Sequence, residues 1–520
     1  MSKTHIMSDE TGQRIAGALE SMAVTSSLVY DETSGEYTND SIAAMLSARS
    51  NGLIYGVSIP KGSTTSCTKT ASNAGIANPV PGVVGRPSID PYVNLGAFFF
   101  LEVNGYVSSD GVPHVTAMSG DGRFRRDGSN GDVWILAPVL WWLYKDATGN
   151  VAISVSDKRQ SGMLSQPGAY LPDSSLRPYM LYAKYALSII DGTARSVSGA
   201  KIANRNVSHN SLITLCKMGA TGYSGKTASD DWYIKVMFLL KYAIKNSQSV
   251  FVGCTSYDIS ASPSVAETDT TRVIIPTATA NGIMVGSSMM LGTNDPATAD
   301  RGASKACDVF DALRIVRKET YDAMNTALYF DTATPFSVAE TYKLFTSPWN
   351  TGSCDLVEGD GSPTSPTSGK EPFIVQGVEL SLGMLEVLGN VLLKNDGATG
   401  WKVFVNHDSK NESTSVTANY QGTDVVFPTD DTDGWKYTTY PIEAGGLLIG
   451  TGTGASTTTG LCDGSYSNKL SAIGEREWLS LGALWGGAVA GLWCVVGGDG
   501  ASGARWDFGS RLSVIGRSRG

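Results

Sequence analysis

The stretch WLSLGALWGGAVAGLWCVVGGDGASGARWDFGSRLS, residues 478–513, decides how the rest of the chain is read. Glycine and alanine fill nearly half of Leu481–Ser510, yet Trp485, Trp493 and Trp506 recur through it. Large rigid rings separated by small residues describe a fixed frame whose intervening positions can be exchanged cheaply. Cys494, Val496 and Gly498 alternate, so in a strand the three share one face. Such a frame suits a binding surface better than a reaction centre.

The pattern resembles the C-terminal variable region of retroelement-diversified proteins with a C-type-lectin fold, among them phage receptor binders of the major tropism determinant kind. The residues that carry the likeness are Trp485, Gly491-Leu492, Trp506-Asp507-Phe508-Gly509 and Ser510-Arg511-Leu512. The resemblance implies adenine-directed mutagenesis of Asn codons, whose products exclude Trp, Lys, Glu, Gln and Met. Leu481–Ser510 contains no Lys, Glu, Gln or Met. The expected variable, ligand-binding face is therefore Leu481, Ala483, Gly486, Val489, Cys494, Val496, Gly498, Asp499, Gly503, Arg505 and Asp507. Trp478, Trp485, Trp493, Trp506 and Arg511 are the expected scaffold.

Composition narrows the function. Net charge is −9, which argues against nonspecific nucleic-acid binding through clustered Lys and Arg. The 59 glycines exceed average usage and imply many turns. Cysteines 67, 216, 254, 307, 354, 462 and 494 form no CxxC pair, so neither a zinc site nor a disulfide framework is expected, in keeping with folding in a reducing cytoplasm. Residues 1–10 lack the apolar core of a signal peptide. Trp134–Tyr144 and the glycine-broken Ala483–Val496 are too short to span a bilayer, and no membrane insertion is expected.

Along the chain, Ile15, Leu19 and Met22 predict an amphipathic helix over residues 8–23, and a second short helix is expected at Asp40–Ala48. Residues 1–50 are expected to be a helical assembly segment contacting other virion proteins, ahead of a body at 51–520. The clearest helix is predicted at about 230–245, capped by Ser229, with Lys235, Lys241 and Lys245 on its solvent side. Residues 270–350 alternate as a β-rich insertion, and Leu356–Lys370 is a flexible loop by composition. Asn246-Ser247-Gln248, Gln376-Gly377-Val378-Glu379 and Gly383–Gly389 extend the resemblance to relatives of formylglycine-generating enzymes, with both Trp residues and an Asn of their motifs missing. The implied fold class is α+β, C-type-lectin-like, and loop-rich.

Ala220–Thr227 imitates a phosphate loop, but its helix is expected to start three or more residues later, after Ala228-Ser229-Asp230, and to place two carboxylates near the anion, against nucleotide binding. The histidines at 5, 114, 209 and 407 lack an i, i+4 partner. Arg123–Arg126 reads as a charged turn. The family's redox chemistry needs a cysteine pair, and Cys494 has no near partner. No catalytic residue, metal or cofactor is expected.

The expectation is thus a virion protein, on the tail or another exposed position and made in the host cytoplasm, that binds a host-surface protein or glycan as a homo-oligomer, expected as a trimer. The alternatives are a diversified adhesin on the bacterial surface, a structural virion protein with no binding face, and an enzyme of formylglycine-generating ancestry.

Overall fold

The computed structural model describes residues 28–517 except 206, 220–221 and 295–299. Among the described residues, 38% lie in strands and 11% in helices, which overturns the α+β, C-type-lectin-like expectation: they form a mostly β structure of several sheets with no closed barrel. The physical reason is the density of glycine turns between short alternating runs, which favours hairpins over helices. Among the described residues there are four α-helices, α1 (Asn39–Arg49), α2 (His209–Gly219), α3 (Ala228–Tyr242) and the single turn α4 (Thr277–Ala280). The helix expected at 8–23 lies outside the described residues.

The described part of the expected N-terminal segment packs into the body. Tyr30–Asp31 and Glu36–Tyr37 pair at the edge of a six-stranded sheet. Ile42, Met45 and Leu46 of α1 are buried with Leu101, Val103 and Val115. A five-stranded sheet follows, containing Tyr55–Pro60, Trp141–Ala147 and Asn150–Ser156. Residues 260–346 carry a further six-stranded sheet around its own core of Val273, Ile275, Leu291, Ile315 and Leu328.

α3 runs through the main core, and all of its residues are buried. Asp230 accepts from the Thr227 backbone N–H at 2.8 Å, so Thr227, not Ser229, is the cap. The expected solvent side does not exist. Lys235 pairs with Asp231 at 2.6 Å. Lys241 is held by Asp90 at 2.7 Å and Asp360 at 2.5 Å. Lys245 donates to the carbonyls of Pro60, Gly62 and Thr439 at 3.0, 2.8 and 2.6 Å. Buried charge is tolerated because each ammonium meets a carboxylate or several carbonyls.

Leu356–Lys370 is likewise anchored rather than free: Asp360 binds Lys241, and Thr364 and Ser365 donate to buried Glu371. No described helix is long and apolar enough to cross a membrane.

The last large sheet holds the 478–513 stretch. Leu385–Asn395 pairs with Lys402–Asn406 and Gly474–Leu481, and takes Phe508–Gly509 as a short parallel neighbour. Gly491–Gly497 lies between Gly474–Leu481 and Gly464–Ser467.

Candidate binding face

The central position of Gly491–Gly497 decides which side chains reach a surface. Alternation exposes one face only when that face meets water, and here both are covered. Cys494 and Val496 are therefore buried, as are Leu481 and Ala483 in the preceding segment. These four expected contact residues are corrected to core. So is Asp507, which is fully buried. Of the eleven, Gly486, Val489, Gly498, Asp499 and Gly503 are partly exposed and Arg505 is exposed. They lie on two turns, 486–489 and 498–505. Space differs among them: a Cβ at Gly498 would lie 2.7 Å from the Tyr466 ring, so a side chain enters only if that ring moves.

The expected scaffold divides too. Trp478 and Trp493 are buried. Trp478 packs edge-on to Phe427 at 5.4 Å, and the Lys235 ammonium lies 5.2 Å from the Trp493 ring. Arg511 donates to Glu386 at 2.7 Å and to the carbonyls of Ala183 and Glu379 at 3.0 and 2.8 Å. Lys226 reaches the same carboxylate at 3.0 Å, and the two cations hold the buried Glu386 carboxyl down to about 2. The ammonium of the phosphate-loop look-alike is thus spent on an internal ion pair. Its helix begins directly at Ala228, earlier than expected.

Trp485, in contrast, is 41% exposed. Its Nε1 donates to Asp507 Oδ2 at 2.7 Å. The same carboxylate accepts from Arg505 Nε at 3.0 Å and Nη2 at 3.0 Å. One buried acid thus fixes an exposed indole and an exposed guanidinium side by side.

Trp506 is half-buried, with the Arg301 guanidinium 5.4 Å from its ring. Arg301 also pairs with Asp258 and donates to the Ile259 carbonyl at 2.9 Å. Arg205 bridges the two segments, its backbone N–H donating to Arg505 O at 3.0 Å and its Nη1 to Arg301 O at 3.0 Å. Nothing in the local sequence signals Asp258, Arg301 or Arg205, because they arrive from segments two hundred or more positions away.

The turn after Trp485 is clamped by the Asn246-Ser247-Gln248 run. Gln248 Nε2 donates to the carbonyls of Gly487 at 3.0 Å and Ala490 at 2.5 Å. Ser247 Oγ accepts from Leu492 N at 3.0 Å and donates to Asp463 at 2.9 Å. Gly491, at φ +131°, is required here: a Cβ would sit 2.3 Å from the Asp463 carboxylate.

All seven cysteines are free, and burial pushes the Cys494 thiol well up. Among the described residues, no group of three or more His, Cys, Asp or Glu side chains is placed to hold a metal ion. Arg123 pairs with Asp121 at 2.6 Å and Arg126 with Glu102 at 2.9 Å, the charged-turn role expected of that cluster. The chain matches no family model and no curated protein.

Proposed function

We propose that this chain is a receptor-binding protein of a phage or prophage virion, and that it recognises the host surface through the face of Trp485, Arg505, Trp506 and Arg301. The observation that carries the reading is the buried Asp507 carboxylate, which holds an exposed Trp and an exposed Arg in fixed orientation. Trp and Arg are the side chains that dominate binding energy at interfaces, and pre-ordering them lowers the entropy lost on binding. The sequence likeness to diversified receptor binders supports the same reading, with exchange restricted to the turns 486–489 and 498–505.

The test is genomic. A neighbouring reverse-transcriptase gene and a near-repeat of the DNA for residues 478–513 are expected, with differences opposite template adenines at Val489, Asp499, Gly503 and Arg505 and none at Cys494 or Val496. No repeat, or differences spread equally over buried codons, would remove the diversified reading.

A face with so few anchors binds weakly as a single copy, so the chain should act as an oligomer, a trimer in our reading, where linked sites raise avidity by roughly 10²–10⁴. Light scattering of the purified full chain should give a trimer mass, and a monomer at micromolar concentration would overturn this part.

A further inference from the structure

We infer that the ligand of this face is a neutral, hydroxyl-rich sugar ring, stacked on Trp485 and hydrogen-bonded by Arg505. The inference rests on the receptor-binding reading and names the chemistry of its ligand.

Apolar area argues first. Trp485 is the only large hydrophobic side chain of residues 478–517 that is exposed. Around it stand Gly486, Gly487 and Ala488 on one side and the ion-paired Arg505 on the other. A stable protein partner needs about 800 Å² on each side with an apolar centre, far more than the exposed Trp485 and the half-buried Trp506 provide. One indole matches one pyranose. The C–H face of the sugar is slightly positive and meets the negative π-face of the ring. The small residues of the turn leave room for it, and a Cβ at Gly487 would touch nothing within 4 Å.

Charge argues next. Arg505 is neutralised by Asp507, and Arg301 by Asp258. Half-buried Asp499 lies close enough to feel Arg505. With Arg205, which bonds a carbonyl and Met290 rather than a carboxylate, the face holds three guanidinium groups matched in number by Asp258, Asp499 and Asp507, so it has no surplus positive charge with which to capture an anion. What remains is donor capacity: Asp507 takes one N–H each from Arg505 Nε and Nη2, which leaves both Nη1 N–H groups and the second Nη2 N–H to donate to hydroxyl oxygens.

Rigidity argues last. The indole is pinned by Asp507. Its turn is held by Gln248 and by the Gly487 N–H, which donates to Thr255 O at 2.6 Å. A flat ring restrained at its N–H and on a clamped turn loses less entropy when a second ring lies on it.

The experiment passes the full-length chain over an array of neutral and acidic glycans, beside Trp485→Ala, Trp485→Phe and Arg505→Ala, with thermal midpoints as the folding control. Neutral glycans should be bound. Trp485→Ala should weaken that binding about tenfold, with Trp485→Phe in between because it keeps a ring. Arg505→Ala should weaken it as well, and acidic glycans should bind no better than their neutral counterparts.

The inference is overturned if no neutral glycan binds, if Trp485→Ala leaves binding unchanged while folded, or if binding grows with negative charge. A template repeat found together with a silent array would leave the receptor reading standing and point to a protein ligand. A silent array with no repeat would remove both.

Discussion

Glu477 stands on Gly474–Leu481, with neither carboxylate oxygen hydrogen-bonded among the described residues. Its Oε2 lies 3.8 Å from His209 Nδ1. His209 Nε2 faces the Gly389 carbonyl at 3.2 Å, so that nitrogen carries the ring proton and Nδ1 is left as an acceptor. Two acceptors facing one another hold together best with a proton on the carboxyl. Burial, then the nearby Asp499 carboxylate, pushes Glu477 up to about 8, while burial lowers His209 to about 4. Arg505 and Arg476 act in turn on Asp499, opposing the burial that raises it. Because the Glu477 value is raised, its contribution is fully present below the ordinary carboxyl range. It is lost as pH climbs toward 8, at no more than about 1.4 kcal/mol per pH unit. His209 acts in the opposite sense and costs stability as pH falls from about 6.5 to 4. Glu477→Gln should therefore lose less stability than the parent between about pH 6 and pH 9 in urea denaturation; equal losses would refute the assignment. Arg511→Ala leaves Glu386 with Lys226 as its remaining cation and should cost about 3–5 kcal/mol, only partly recovered by Arg511→Lys, because the planar fork is lost. Chemical denaturation at neutral pH measures both. The sequence marked Arg511 as scaffold but offered no hint of Glu477 or its histidine, since positions 209 and 477 meet only in the folded chain.

At the scale of elements, the central strand Gly491–Gly497 and α3 teach the same lesson. The alternation in the strand and the apolar run in the helix are legible from residue order. Which face each turns to water is not. Two flanking strands and the layers beyond them cover both sides of the strand. Asp90 and Asp360 travel from distant segments to neutralise Lys241, so a lysine that normally marks solvent is buried. The contrast is measurable. Val496→Asp places an unpaired charge in the core and should cost about 3 kcal/mol or more. Val489→Asp, on the partly exposed turn, should cost about 1 kcal/mol or less. Parallel urea titrations would show it, and equal costs would mean that the strand is not the buried one.

At the scale of the whole molecule, the sheet of residues 260–346 is not a remote appendage, because Arg301 lies on the Trp506 ring and Arg205 joins it to Arg505. Arg301→Ala should raise amide exchange in 258–261 and in 505–508 together, as read by mass spectrometry. A rise confined to the first segment would show that the two do not support one another. This junction was invisible in the sequence: the alternating pattern at 270–350 announces strands, but no local rule says where a sheet of that size docks.

Residue order by itself determined that glycine-rich turns separate alternating runs that become strands, that a long helix lies near 230–245, and that the 478–513 stretch pairs rigid rings with small residues. Those properties depend on near neighbours, through backbone dihedrals, capping and side-chain periodicity. Tertiary structure alone decided that Leu481, Ala483, Cys494, Val496 and Asp507 are internal, that three lysines are buried, and that Trp485 and Arg505 stand outward on one hidden carboxylate. Burial and ion pairing are set by partners far away in the chain, and only the packed fold brings them within reach.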